Sequence, residues 1–182
     1  MIGTYPVEGP LTWCVVSGLV CGITSDAMGL EDVHEAAARR VEADAGYAGD
    51  VTPDEAWRIL GEDPGAVLID TRTQPEWAFV GTPDLTALDK QPVLVPWQTF
   101  PTMGVNANFS AELANRGVTP DQTTLFICRS GNRSAAAAIA MTAKGFARCY
   151  NVAEGFEGPL DADKHRGRLG GWKARGLPWV QG

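Results

Sequence analysis

The chain has 182 residues, enough for one domain with a substantial core and some additional chain. Apolar residues make up 45%, which argues against wholesale disorder. Lys and Arg number 15 against 22 Asp and Glu, so the formal net charge is −7; such a field opposes nucleic-acid binding, and any anion must be drawn by a local arrangement of cations and amides.

Leu11 to Ile23 is largely apolar, yet too short and interrupted for a membrane-spanning helix, which needs about 20 apolar residues. No Lys or Arg precedes Arg39, so the basic start of a secretory signal is missing. Neither a membrane partner nor a secreted location is therefore expected. Met28 to Ala45, rich in Ala, Glu and Arg, predicts a lead-in helix ended by Gly46 to Asp50. Residues 1–50 are expected to form an N-terminal extension, and 51–182 the main domain.

Thr52-Pro53-Asp54-Glu55 has the chemistry of a helix start: a capping hydroxyl, a proline at the first position and two acids at the positive end of the dipole. That helix should run to about Leu60, with Gly61 to Gly65 as a turn. Ala66 to Asp70 predicts a short buried strand with Asp70 at its carboxyl end. Val93-Leu94-Val95 is a second strand. Ser110 to Arg116 is a short helix closed by Gly117. Thr124 to Cys128 is a third strand, apolar until the cysteine. Ser134 to Lys144 is an Ala-rich helix closed by Gly145, and Cys149 to Val152 is a fourth strand. A last helix near Gly171 to Arg175 stops at Gly176-Leu177-Pro178. Apolar strands alternating with helices predict an α/β fold with a parallel sheet covered on both faces. Ligands bind such sheets beyond the carboxyl ends of the strands, where Asp70 and Cys128 both fall.

The four cysteines, Cys14, Cys21, Cys128 and Cys149, lack paired metal-ligand spacing, and the only histidines are His34 and His165. No zinc site, other metal or organic cofactor is expected. A reducing, cytoplasmic setting fits this cysteine usage.

The chemistry concentrates in Cys128-Arg129-Ser130-Gly131-Asn132-Arg133-Ser134. Gly131 lets the backbone curl, and successive N–H groups in such a curl form a nest for negative charge. Ser134 is expected to open the next helix, whose unpaired N–H groups face the same spot. Arg129 and Arg133 add full positive charge. Ser130 and Asn132 either line the site or merely form its turn. A cysteine in that field is expected to act as an ionised sulfur nucleophile, which needs no histidine as general base. The alternative is an inert core cysteine at a strand end, which leaves the two arginines, the glycine and the helix as coincidence. Cys149 reads as a core strand residue.

Leu68-Ile69-Asp70-Thr71-Arg72, Glu76-Trp77, the Cys128 to Ser134 loop and Trp172 with Gly176-Leu177-Pro178 together resemble the rhodanese homology domain. The resemblance covers about Val51 to Val180. It implies a central parallel sheet of about five strands with helices on both faces, and a persulfide intermediate on Cys128. It makes Cys128 to Arg133 the six-membered active loop and gives Asp70 and Arg72 a supporting role. Phosphatases of related fold have five residues between cysteine and arginine; here four separate Cys128 from Arg133. The resemblance thus implies a sulfurtransferase that takes sulfur from a small anionic donor such as thiosulfate and gives it to a thiol, cyanide or a protein acceptor. The rivals are an anion- or persulfide-binding partner module with little turnover, and a phosphatase or arsenate reductase. Two departures stand out. Gly81-Thr82-Pro83 replaces a Gly-His common in the family. Pro159 to Leu169, with Lys164, His165, Arg166 and Arg168, looks inserted. That insertion is either a solvated loop or a basic rim that selects donor or acceptor.

Overall fold

The computed structural model describes residues 29–182. The apolar run Leu11 to Ile23, with Cys14 and Cys21, lies outside the described residues. Among the described residues no helix is long and apolar enough to cross a membrane.

Five parallel strands form the central sheet: β1 (Gly49–Val51), β2 (Val67–Asp70), β4 (Val93–Leu94), β7 (Thr123–Ile127) and β8 (Arg148–Val152). Their order is β1-β8-β7-β2-β4. Side chains alternate between the two faces, as the pleat requires. Leu68, Leu125, Ile127, Tyr150 and Val152 belong to one core cluster, with α1 (Leu30–Arg39), α2 (Pro53–Glu62) and α6 (Gly171–Ala174) packed over it. Ile69, Phe126 and Cys149 point to the other, under α4 (Phe109–Asn115) and α5 (Asn132–Thr142). This is the expected α/β sheet with helices on both faces. Two small ribbons complete it: β3 (Thr82–Pro83) pairs antiparallel with β9 (Trp179–Val180), and β5 (Gln98–Thr99) with β6 (Gly104–Val105).

Local chemistry explains most element boundaries. The Thr52 hydroxyl accepts from the Glu55 N–H, and the Glu55 carboxylate accepts from the Thr52 N–H, a reciprocal cap for α2. Two expectations shift. The first helix ends at Arg39 rather than Ala45. Arg40 caps the helix with its backbone still in the right-handed helical region, and its guanidinium makes two bonds to Glu55, at 2.6 and 2.7 Å, and one to the Asp50 carbonyl at 3.0 Å. Gly49 and Asp50, expected within the Gly46 to Asp50 helix stop, instead join Val51 in the sheet-edge strand β1, paired in parallel with β8. Val33 and Ala37 of α1 are fully buried in the same core as Val51 and Trp172, so the packed body includes this helix. A further helix, α3 (Gln74–Val80), surrounds the Glu76-Trp77 motif. The Gly81-Thr82-Pro83 departure is also accounted for: Thr82 and Pro83 form the ribbon with the C-terminal strand, and the Gly81 carbonyl accepts from Arg72.

Candidate active site

The carboxyl ends of β2 and β7 open into a cleft of about 590 Å³ with Cys128 on its floor. The loop after β7 turns back at Gly131, whose φ of 99° suits glycine. The turn is tight because α5 begins at Asn132, not Ser134, so Asn132, Arg133 and Ser134 make up its first turn. A side chain at Gly131 would collide with the Ala153 carbonyl, and one at Gly155 would lie 2.6 Å from the Cys128 carbonyl oxygen. Both glycines thus let the active loop rest directly on the backbone that follows β8. The Phe156 N–H donates to the Cys128 carbonyl at 2.7 Å, and the Glu157 N–H to that of Arg129 at 2.9 Å.

Cys128 is 1% exposed, and its Sγ accepts from the Gly131 N–H at 3.2 Å. The Ser134 hydroxyl lies equally near the sulfur, at 3.2 Å. That hydroxyl is also 2.9 Å from the Gly131 carbonyl and 2.6 Å from Asn151 Oδ1. One proton therefore has three acceptors in reach. Asn151 Nδ2 in turn donates to Asp50 Oδ1 at 2.9 Å, which also accepts from the Tyr47 hydroxyl at 2.8 Å. A polar chain thus runs from the half-buried sheet edge to the buried sulfur. Burial and the Asp50 contact push the Tyr47 hydroxyl up, so it stays a donor at neutral pH.

Arg133 and Arg129 sit differently. Arg133 makes two bonds to Glu76, at 2.8 and 2.6 Å. Burial pushes the Glu76 carboxyl up, but bonds from Arg133 and from the Thr73 N–H and hydroxyl outweigh this and hold it down at about 2. The pair ties the active loop to α3 and neutralises Arg133. Arg129 is exposed at the cleft, and among the described residues it forms no ion pair. Ser130 and Asn132 also line the cleft. Ser134 faces the sulfur from below.

Asp70 and Arg72 lie beneath this assembly, both fully buried. Arg72 Nε donates to Asp70 Oδ1 at 2.9 Å and Nη2 to Oδ2 at 2.6 Å. Nη2 also reaches the Gly81 carbonyl at 2.7 Å, while Nη1 is buried without a partner among the described residues. The guanidinium lies 4.0 Å above the Phe156 ring, whose own N–H holds the Cys128 carbonyl. Trp172 and Lys173 extend the stack: their N–H groups donate to the Gly155 and Phe156 carbonyls.

Several cleft residues carried no sequence signal. Phe100 and Met103, in the turn between β5 and β6, form an apolar wall. Asn151 reaches the site only through the register of β8 beside β7, where it lies opposite Phe126. The basic segment Pro159 to Leu169 divides. Lys164, His165 and Arg168 are exposed, whereas Arg166 is half-buried and lines the cleft. Neither described histidine lines it; His34 packs its ring on Tyr150, with centroids 5.1 Å apart.

This constellation, a strand-end cysteine under a curled loop on a five-stranded parallel sheet, has counterparts among known proteins. A family model described as the STR4 middle domain matches residues 48–182. The chain belongs to the rhodanese-like family, in the branch which that model describes. The crystal structure of Rv0390 from M. tuberculosis is 51% identical, with a TM-score of 0.70, over 75% of this chain and 99% of that one. The uncharacterized protein RP600 of Rickettsia prowazekii is 37% identical over 128 residues, 69% of this chain and 91% of its own. The chloroplastic protein THYLAKOID RHODANESE-LIKE of Oryza sativa subsp. indica is 32% identical over 134 residues, 72% of this chain but 25% of its own.

Proposed function

We propose that this protein is a sulfurtransferase that carries sulfane sulfur as a persulfide on Cys128. The observation that carries the reading is the cysteine sulfur on the cleft floor, 3.2 Å from both the Gly131 N–H and the Ser134 hydroxyl. Polar hydrogens held beside the sulfur are placed to meet the negative charge that develops on it during transfer.

In the first half-reaction Cys128 Sγ attacks the outer sulfur of an anionic donor such as thiosulfate. The donor's S–S bond breaks, and sulfite leaves with the electron pair. In the second, a thiol, cyanide or a protein acceptor attacks the outer sulfur of the persulfide, and Cys128 departs as thiolate. Such double displacement gives ping-pong kinetics. Arg129 and the loop amides meet the donor's charge. Arg133 has a different task, since its guanidinium is committed to Glu76 and fixes the loop's shape.

Sulfite release from a panel of donors tests the reading. Wild type should release sulfite from thiosulfate, and Cys128→Ala should fall to the uncatalysed rate. Equal release by both proteins would refute it.

A further inference from the structure

We propose that Arg166 makes the cleft selective for a small organic thiol bearing a carboxylate as its sulfur acceptor. This rests on the sulfur-transfer reading of Cys128 and adds the class of acceptor.

The cleft is too large for inorganic substrates alone. Its volume, about 590 Å³, lies within the range of roughly 300–1,000 Å³ that accommodates organic ligands. Cyanide or thiosulfate would leave most of it to water, each molecule of which takes about 30 Å³. One wall is apolar and open, with Phe100 64% and Met103 40% exposed. Only a carbon chain gains free energy by covering them.

The charged side of the cleft then supplies the second requirement. Arg133 is occupied by Glu76, which leaves Arg129 and Arg166 as cleft-lining guanidinium groups in no ion pair among the described residues. Arg166 is anchored: its Nη1 donates to the Gly158 carbonyl at 2.6 Å, and the adjacent Gly167 N–H donates to the Glu157 carbonyl at 2.6 Å. The rest of its planar fork of donors stays available, and that shape suits a carboxylate. Its neighbour Arg168 is instead drawn to Asp161, at 3.1 Å. Glu157 shares the cleft and makes no ion pair among the described residues; Lys173 acts on it only through its field, and its Oε1 is buried without a hydrogen-bond partner.

In the transfer step the acceptor thiolate forms a new S–S bond to the outer sulfur of the Cys128 persulfide. The bond from Cys128 to that sulfur breaks, and its electron pair returns to Cys128 as thiolate. The acceptor leaves as a persulfide, and no oxidant or reductant is required. Arg166 holds the carboxylate away from the reacting atoms, so it selects the acceptor and takes no part in bond exchange.

Two acceptors with the same two-carbon chain, 3-mercaptopropionate and 2-mercaptoethanol, isolate the effect of the carboxylate. With wild type, kcat/KM should favour mercaptopropionate by about tenfold or more, the scale of one charge-assisted bond. Arg166→Gln should erase that ratio and Arg166→Lys should keep part of it; a ratio cancels any loss of fold or rate common to both thiols. Calorimetry on Cys128→Ser protein should give the same ranking without turnover, again lost on adding Arg166→Gln. Equal use of both thiols by wild type, or a preference that survives Arg166→Gln in turnover and binding, overturns the proposal. If wild type forms no persulfide but Cys128→Ser protein binds mercaptopropionate through Arg166, the transfer reading falls and the Arg166 site stands.

Discussion

Two positive groups follow Cys128 in the sequence, yet the fold gives them opposite duties. Arg129 faces the cleft, while Arg133 is bonded twice to Glu76 and serves as a strut between the loop and α3. The strut has a pH signature. The folded Glu76 carboxyl sits at about 2 against an ordinary 4.5, so its contribution to stability is complete above about 4.5 and is lost as pH falls through about 2. Glu76→Gln should lower stability at neutral pH by about 2 kcal/mol, a figure reduced for the partial exposure of the pair. It should also flatten the acid limb between these two values. Urea unfolding at a series of pH values measures both effects; an unchanged acid limb would remove the strut from the account. The other cysteine among the described residues, Cys149, behaves in the opposite way to a nucleophile. Burial pushes the Cys149 thiol up, against the weaker opposing effect of the Thr124 and Thr142 hydroxyls. Cys149→Ala should leave thiosulfate turnover within about twofold of wild type, since core thiols held neutral are inert. A large loss in a folded variant would give Cys149 a part in the relay of sulfur.

At the scale of elements, the active loop is framed by a strand, the helix that follows it and the backbone after the next strand. β7 delivers Cys128, α5 begins at once behind it, and residues 153–157 form the bed on which the loop lies. The buried Asp70–Arg72 pair sits under that bed, through the contact of the guanidinium with Phe156. Removing one member leaves the other charged and unpaired in the core. Asp70→Ala should therefore cost about 3–5 kcal/mol in urea unfolding. A cost below about 1 kcal/mol, the scale of a surface pair, would mean that the pair supports nothing. The loop itself could be read from sequence because its determinants are contiguous: cysteine, arginines, glycine and helix within seven residues. α5 starts two residues before Ser134, because the positive φ of Gly131 reverses the chain sooner.

For the whole molecule, the alternation of apolar strands and helices was enough to predict the α/β sheet, since each strand core carries its own hydrophobic run. β1 escaped because Gly49-Asp50-Val51 has no such run, and only pairing with β8 makes it a strand. The same dependence hid the polar chain behind Ser134. Asn151 and Asp50 are 101 residues apart and meet only across that edge pairing. Arg166 was legible as a basic residue in an insertion, but its turn into the cleft depends on the Gly158 and Glu157 backbone. Local chemistry is therefore visible in the chain, and what surrounds it comes from topology. On the proposed reading, all of this serves a sulfur held on one atom, Cys128 Sγ. Mass spectrometry of the intact protein after incubation with thiosulfate tests it most directly. Wild type should gain the mass of one sulfur atom, mapped to the peptide containing Cys128, and Cys128→Ser should gain none. An adduct that persists in Cys128→Ser, or a wild type that gains no sulfur, would contradict the claim.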